Sequence, residues 1–527
     1  MKDRHLARTE RARLTVCLLA ALVPLPGCRV LLEPLPSSEL LAVSAEFRGS
    51  SQPAEGALRD QSKIEVPAAL PGAQADSPEL PPDTPQTREA RMKAIEALFP
   101  ELPNLGDDPL PGVDKIEPVT VEALIETAKK NSPLIQQAMA EIERNRGLWV
   151  QAGLYPNPTM GYQGDQVGDA GSAGQQGGFF NQTIVTGQKL KLARNVAYFD
   201  LINARLQLRR QEIDLTRQVR ADLFAVMVAA EGIRITRKVS EFTEDVYRAQ
   251  VAGVRAGVSV PFEAHALRAI AGQNRNSLVQ ARLRYASVWR QLAATLNQPE
   301  MPPTPIASRV DLSIPRYNYE ALKQKMIAAH TDMEIARNNV AQAQQNLLLE
   351  TRRPIPDLQN NFYFQRDTQL QSFQVGIQLG VTVPVWNKNE GNISAARASL
   401  FRATQELDRV RNNLIRTMTD SYERYETNRQ QITLYRDLIL PDLVRAFRGI
   451  YRRFQVEPDK VNYNDIVTAQ QNFATQLNNY LQALQQQWQA VADLTANVQA
   501  EDPYKLSEGL DTALPDDWPL EPRRVVR

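Results

Sequence analysis

The feature that most constrains this chain is an internal duplication. The stretch Thr120–Pro158 is paralleled about 200 residues later by Asn318–Pro356. Each has the pattern of a helix that stops at a Pro-x-Pro pair, because proline suits neither a helix interior nor a central strand. These prolines are Pro156 and Pro158 in the first copy and Pro354 and Pro356 in the second. We therefore predict two similar repeats, at 118–297 and 318–500, joined by a proline-containing linker at 298–317.

Each copy then runs into a very long helical pattern. After Trp386, apolar and small residues step by three and four, which is typical of a coiled coil. These positions are Ile393, Ala396, Leu400, Ala403, Leu407, Val410, Leu414, Met418, Ser421, Tyr425, Asn428, Ile432, Tyr435 and Ile439. A helix over Asn389–Phe454 would be about 100 Å long at roughly 1.5 Å per residue, and we expect Pro441 to kink it without ending it. Copy one repeats the pattern from Leu190 to Val254, and a break and a return helix follow in both copies.

A pair of strand patterns precedes each long helix. In Ser372–Val383 the character of the side chain changes at every residue, as the two faces of a strand require. One face holds Val375, Ile377, Leu379, Val381 and Val383, and the other holds Gln374, Gly376, Gln378, Gly380 and Thr382. The other strands are predicted at Thr159–Gly164, Phe179–Thr186 and Asn361–Arg366. The glycine-rich residues 168–178 are expected to form a flexible loop, and Gly187 and Pro384 mark strand-to-helix junctions.

Composition and motifs exclude several functional classes. Lys and Arg number 61 against 60 Asp and Glu, so the chain lacks the basic surplus of a nucleic-acid binder. It has 3 His and 2 Cys, without zinc-ligand spacing, a GxSxG element or a phosphate-binding loop. We therefore predict no catalytic residue, no metal site, no cofactor and no enzyme. No apolar run approaches the roughly 18 residues of a transmembrane helix, so any span of a bilayer would have to be made of strands.

The first residues have the pattern of an export signal. The basic segment MKDRHLARTERAR precedes an apolar stretch, which predicts a signal peptide at residues 1–27. The sequence LPGC at Leu25–Cys28 resembles a bacterial lipobox and predicts lipid modification of Cys28, with an ordinary signal peptide and an incidental cysteine as the alternative.

The two ends of the mature chain have the composition of irregular structure. Residues 28–117 are rich in Pro, Ser, Ala and Glu, which predicts a mostly disordered tether with at most one short helix near Arg88–Leu98. The tail at 501–527 is again rich in Pro and Asp, and we expect it to lie over the surface.

The strand pattern suits a membrane. A transmembrane strand needs about 9–11 residues, apolar outward and small or polar inward, and Ser372–Val383 meets this requirement. An edge hairpin of a soluble sheet is the alternative, but the sequence offers no further sheet or globular core to cover its aliphatic face. Four strands cannot close a barrel, and open edges are not tolerated in lipid. If the strands lie in a membrane, several chains must share one barrel.

The duplicated order of helix, strand hairpin, long helix, break and return helix resembles the TolC-like outer-membrane efflux proteins. The junction LYPNPTMGY (Leu154–Tyr162) and the passage NQTIVTGQKLKLAR (Asn181–Arg194) are similar to the heavy-metal and drug efflux branches of that family. The resemblance covers roughly Val119–Ala500. It implies a mainly α fold with a small β part, in which duplicated helical hairpins form an α-barrel and coiled coil. Four strands per chain then contribute to a shared twelve-stranded transmembrane β-barrel.

The resemblance also implies a function and partners. The protein would be the outer-membrane exit duct of a tripartite efflux system, a trimeric passive channel from periplasm to outside. It would contact outer-membrane lipid, a periplasmic adaptor and an inner-membrane pump of the RND type, and the pump would supply the energy. The residues expected to face the lumen are generic Gln, Gly, Thr and Ser, so metal ions, drugs and secreted proteins all stay open as cargo.

In this family the periplasmic tips carry the gate. The segment Asp459–Gln470 resembles the helix start that lines the closed entrance with acidic side chains, and Asp465 matches best. The next acidic position of the family pattern is Thr468 here, and Glu263 occupies the equivalent place in copy one. Our hypothesis is that Asp465 forms a ring of like charge that attracts cations. Neighbouring Arg and Lys side chains would form ion pairs with this ring. The alternative is that these residues are solvated charges beside a turn. The gate set is Asp459, Lys460, Asp465, Arg452, Arg453 and Glu263.

Two other classes remain as alternatives. A secreted or periplasmic coiled-coil scaffold would share the long helices but has no use for two matched strand hairpins. A periplasmic adaptor would need β-rich halves around one helical hairpin, whereas this chain has two.

Overall fold

The computed structural model describes residues 70–71, 73, 75, 79–82, 84–104, 106, 108, 110, 118–171, 173–307, 313–456 and 463–510. The chain divides into the units Met1–Asp76 and Ser77–Arg527. In the first unit, the Ala73 N–H donates to the Leu70 carbonyl at 3.0 Å and closes a turn. The predicted signal peptide, Cys28 and most of the predicted tether lie outside the described residues. All further statements concern the second unit.

The order of elements repeats as the sequence predicts. The unit begins with α1 (Arg88–Leu98). Repeat one holds α2 (Val121–Asn131), α3 (Pro133–Ala152), β1 (Thr159–Asp165), β2 (Gln175–Ile184), α4 (Lys189–Arg255) and α5 (Pro261–Thr295). Repeat two holds β3 (Pro315–Arg316), α6 (Tyr319–Ala329), α7 (Thr331–Arg352), β4 (Leu358–Asp367), β5 (Ser372–Val381), α8 (Glu390–Leu434), α9 (Leu440–Val456) and α10 (Tyr463–Val498), and β6 (Gly509–Leu510) follows. None of the described helices has a stretch apolar enough, over sufficient length, to cross a membrane.

Local chemistry sets the helix boundaries in the same way in both repeats. The Thr120 side chain accepts from the Ala123 N–H at 3.3 Å, and the Asn318 side chain accepts from the Ala321 N–H at 3.1 Å. Each cap satisfies an N–H that has no partner inside its helix. The duplication therefore extends to the residues that start α2 and α6.

The strands form one sheet in the order β1-β2-β4-β5, and all pairs are antiparallel. The hairpins of the two repeats thus lie side by side through β2 and β4. β2 begins at Gln175, four residues before the predicted start, so the interpretation of 168–178 as a flexible loop is wrong for its last four residues. A Cβ at Gly177 would lie 1.9 Å from the Phe364 carbonyl oxygen. Glycine is required there for close strand approach.

Proline 441 does not end the long helix of repeat two. A π-helical turn at Tyr435–Ile439 joins α8 to α9. Because Pro441 has no N–H and its ring would crowd the preceding turn of a regular helix, a wider turn relieves the conflict. The Leu440 N–H donates to the Tyr435 carbonyl, five residues back. The predicted continuity is confirmed, and a π turn accommodates the proline.

The core lies between the helices. In repeat one it is formed around Leu223 and Trp289, with Leu124 of α2 packed against them. A second cluster joins the repeats, where Trp488 of α10 stacks on Phe224 of α4 with ring centroids 4.4 Å apart. Seven of the twelve predicted coiled-coil positions on α8 are buried: Ala396, Leu414, Met418, Ser421, Tyr425, Asn428 and Ile432.

The described ends of the chain are packed against the repeats. α1 forms where predicted, but Ile95 and Phe99 are 0% and 4% exposed. Residues 84–104 of the predicted, mostly disordered tether at 28–117 therefore belong to the folded structure, because this segment buries apolar side chains. At the other end, β6 pairs with β3, and the Tyr317 hydroxyl donates to the Pro503 carbonyl at 3.1 Å.

Candidate membrane sheet and helix tips

One face of the sheet is apolar and open. The register places Met160, Phe180, Phe362 and Ile377 in one row across all four strands, and they are 74%, 37%, 38% and 69% exposed. The exposed apolar set on this face is Met160, Tyr162, Phe180, Ile184, Phe362, Phe364, Phe373, Val375, Ile377, Leu379 and Val381. The predicted aliphatic face of β5 thus extends over both repeats. A patch of this kind marks a surface that needs a partner or lipid.

The opposite face is polar. Asp165, Gln175 and Asp367 share one row near the turns of the hairpins. The Asp165 Oδ2 atom accepts from Gln163 Nε2 at 2.7 Å and from Gln365 Nε2 at 2.9 Å. The Asp367 Oδ1 atom accepts from the N–H groups of the following turn. Each repeat therefore contributes one carboxylate to this end of the polar face, as a water-filled interior allows.

Both edges of the sheet are open. Within the described residues, β1 pairs with β2 alone and β5 pairs with β4 alone. The outer N–H and C=O groups of β1 and β5 therefore have no strand partner in this chain. In hydrocarbon each such group would cost several kcal/mol, about 2–7 kcal/mol by transfer data, so a sheet in lipid would need partners for both edges.

The junction from β2 to α4 is fixed by left-handed backbone and by a carboxylate of the other repeat. Gly187 and Gln188 have φ of 65° and 60°. Asp357 accepts from the Thr186 N–H at 2.9 Å and from Lys189 Nζ at 2.9 Å. Sequence reasoning missed Asp357 and Lys189, because their pairing joins residues far apart in the chain. Pro354 and Pro356 lie between α7 and β4, just before Asp357 in the chain.

The junction from β5 to α8 is likewise fixed by a residue with left-handed backbone and by hydrogen bonds. Asn389, directly before α8, has φ of 62°. Its Nδ2 atom donates to the Glu350 carbonyl at 2.9 Å and to Glu350 Oε2 at 2.8 Å. Pro384 lies between β5 and α8, and Pro156 and Pro158 lie between α3 and β1. All the predicted junction residues thus lie between a helix and a strand.

The tip between α4 and α5 is exposed and apolar. Gly257 has φ of 74°, which the turn requires. Val258 and Phe262 are 81% and 65% exposed. Glu263 lies in the first turn of α5, and its Oε2 accepts from Gln250 Nε2 at 2.6 Å. In this chain the Glu263 carboxylate therefore ties α5 to α4.

The second tip carries the candidate gate residues. Asp465 lies in the first turn of α10 and is exposed. Arg452 and Arg453 are exposed near the end of α9, and in the described part of the chain Asp465 forms no ion pair with Arg452. Asp459 and Lys460 lie outside the described residues.

Behind the tips, the repeats are joined by a mixed aromatic and polar contact. Phe242 of α4 packs edge-on against Phe447 of α9, with centroids 5.1 Å apart. Next to it, the fully buried Thr243 hydroxyl accepts from Asn274 Nδ2 at 2.8 Å and also from Gln470 of α10. Single aromatic and amide residues in long helices gave no sequence signal for this contact.

The fold consists of two repeats of long helices joined to one sheet. The sheet is apolar on one face, polar on the other and open at both edges. Together these features are typical of outer-membrane duct proteins. A sequence model described as "Outer membrane efflux protein" matches residues 124–298 and 322–498. The match covers more than half of the chain, and the chain belongs to this family. Its location is accordingly the bacterial outer membrane.

Individual relatives agree with this assignment. The cobalt-zinc-cadmium resistance protein CzcC of Cupriavidus metallidurans is 23% identical over 379 residues, covering 72% of this chain and 89% of CzcC. The crystal structure of CusC matches with a TM-score of 0.62 at 14% identity, over 76% of this chain and 99% of CusC. The outer membrane protein VceC of Vibrio cholerae matches with a TM-score of 0.59 at 14% identity, over 72% and 96% of the two chains. At these identities the solved structures show the fold alone.

Proposed function

We propose that three copies of this chain assemble into a passive exit duct. The observation that carries the proposal is the sheet, whose edges β1 and β5 are unpaired and whose outer face exposes apolar side chains. Pairing β5 of each copy with β1 of the next would satisfy all edges and give twelve strands, a size within the range of outer-membrane barrels. The helices would continue the same conduit inward.

The duct would act with an inner-membrane pump, of the RND type, and a periplasmic adaptor. The exposed apolar tip at Val258 and Phe262 supports an adaptor contact at this end. The chain itself would do no energy-consuming chemistry. Because CzcC is named for cobalt, zinc and cadmium resistance, divalent metal ions are the first cargo to test.

The test is reconstitution of the purified full chain. We expect chemical cross-linking in detergent to give a trimer, and planar bilayers to show discrete conductance steps. A monomer that stays in solution without detergent would overturn the proposal and favour the coiled-coil scaffold.

We further propose that Asp465 lies at the pore entrance as a ring of like charge. Asp465→Asn should then lower the preference of the reconstituted channel for cations, because fixed carboxylates raise the local cation concentration. The measurement is the reversal potential in a salt gradient. Asp442→Asn is the matched control, since Asp442 is a 57% exposed carboxylate on α9 that pairs with Arg445. Equal selectivity in the two variants would place Asp465 outside the pore.

A further inference from the structure

Residues 88–104, 106 and 108, which we name the N-terminal clasp, are bound to the helices near the tips. Ile95 and Phe99 of the clasp lie in one buried cluster with Val254 of α4 and Leu267 of α5. Val467, in the second turn of α10, belongs to the same cluster and is 9% exposed. The clasp therefore closes an apolar core to which the tips of both repeats contribute.

Two arginines hold the far end of the clasp. Arg237 of α4 and Arg282 of α5 donate through Nε to Asp108 at 2.5 Å and 3.0 Å. Their Nη2 atoms donate to the Gly106 carbonyl at 3.0 Å and 2.9 Å. Burial raises the pKa of Asp108, but the hydrogen bonds and charges of the two arginines outweigh it, and the pKa lies below its usual value. Asp108 is therefore ionised and bridges the two antiparallel helices.

Two more arginines of α5 donate to main-chain carbonyls of the clasp, between Ile95 and Asp108. Arg268 of α5 donates to the Leu98 carbonyl at 3.2 Å, and Arg275 donates to the Pro103 carbonyl at 2.6 Å. Arg275 is held in turn by Glu244 of α4 at 2.7 Å. Side chains of α4 and α5 thus bind the clasp at Leu98, Pro103, Gly106 and Asp108. Contacts spread along the clasp in this way indicate a specific binding surface.

The clasp is suited to bind and release as a unit. α1 has 11 residues, and an isolated helix of that length is marginal in water. Its helical structure depends on docking, so release and unfolding of α1 are coupled. Once α1 has left, the buried cluster that contains Val467 loses Ile95 and Phe99.

We propose that the N-terminal clasp is an intramolecular lock on the tips: while docked, it holds the start of α10 against α4 and α5, and its release lets the tip of repeat two move away from repeat one and widens the entrance. The widening of the entrance rests on the proposed duct function. The contact that holds the start of α10 against α4 and α5 does not depend on that function.

The test uses the full chain with Ile95→Asp, which removes the apolar anchor, and Asp108→Asn, which removes the bridging charge with little change of shape. Ala97→Asp is the control for the first, because it adds the same charge at an exposed position of α1. Asp245→Asn is the control for the second, because Asp245 forms an Asp–Arg pair that is 66% and 67% exposed on the same hairpin.

Hydrogen exchange and conductance give separate answers. We expect amides of α1 and of the first turns of α10 to exchange about tenfold faster or more in both clasp variants, and the open fraction of the reconstituted channel to rise several-fold, with both controls unchanged. Faster exchange in α1 alone, without change at α10 or in conductance, would overturn the lock. If no variant and no wild-type protein conducts, the duct function fails, and the exchange at α10 still decides whether the clasp holds the tips together.

Discussion

At the scale of single residues, burial sets the charge state of two histidines. His330 caps the start of α7, where its Nδ1 accepts from the Asp332 N–H at 3.1 Å, and it is 7% exposed. Burial lowers the pKa of His330; Asp332 opposes this shift, Arg210 adds to it, and the net pKa lies below its usual value. Burial likewise lowers the pKa of His265, whose ring lies 4.6 Å from that of Phe99 in the clasp.

Stability should therefore fall as the pH is lowered below about 6.5, the ordinary pKa of histidine. Since the folded-state pKa is lowered, the unfolded chain binds more protons in this range, and the free energy of unfolding rises with pH. His330→Asn keeps a capping side chain but cannot titrate, so its loss of Tm between pH 7.5 and 5.5 should be smaller than that of the wild type. Thermal unfolding in detergent measures this. His265→Asn, as the second variant, should remove a further part of the pH dependence; identical slopes in all three proteins would contradict the assignment.

At the scale of elements, the sequence determines periodic structure well and long-range contacts poorly. The strand β5 and the helix α8 that follows it are predicted by the spacing of their apolar residues, and their observed starts agree with the prediction to within one residue. The start of β2 was missed because the glycines Gly177 and Gly178 have the composition of a loop, although in the sheet Gly178 lies against the Phe364 ring and Gly177 against the backbone of Phe364 and Gln365. The clasp was missed because its anchors, Arg237 and Arg282, lie 129 and 174 residues from Asp108. Composition near Asp108 carries no information about them.

The junction glycine gives a prediction at this scale. Gly187 has φ of 65°, and a Cβ there would lie 3.1 Å from the Ile355 side chain. Gly187→Ala should destabilise the protein by about 1–2 kcal/mol, because an L-residue is strained in the left-handed region. Gly272→Ala is the opposite control, since Gly272 lies in α5 with no atom near its missing Cβ, and it should stabilise by about 0.5–1 kcal/mol. Denaturant unfolding compares the two, and a harmless Gly187→Ala would show that the junction can rearrange.

At the scale of the whole molecule, the two repeats form one sheet and one shared helical core. Their hairpins form one continuous sheet through β2 and β4, and Gln365 donates to Asp165, its partner 200 residues away. Their long helices meet in a core around Phe224 and Trp488. What the chain cannot complete by itself is the sheet, whose edges and apolar face stay open. The proposed assembly with other copies in lipid would complete it.

The apolar face provides the test of that step. Ile377 is 69% exposed on the apolar face, and its neighbour Gln378 points to the polar face of the same strand. Near the centre of the bilayer, Ile377→Lys should cost about 2–4 kcal/mol per copy. In the proposed trimer this cost is multiplied by three, so chemical cross-linking of the variant should no longer give a trimer. Gln378→Lys adds the same charge toward the interior and should assemble normally. Because the two variants differ by one position in β5, a general folding defect from lysine would affect both. Normal assembly of Ile377→Lys would mean that this face does not contact lipid.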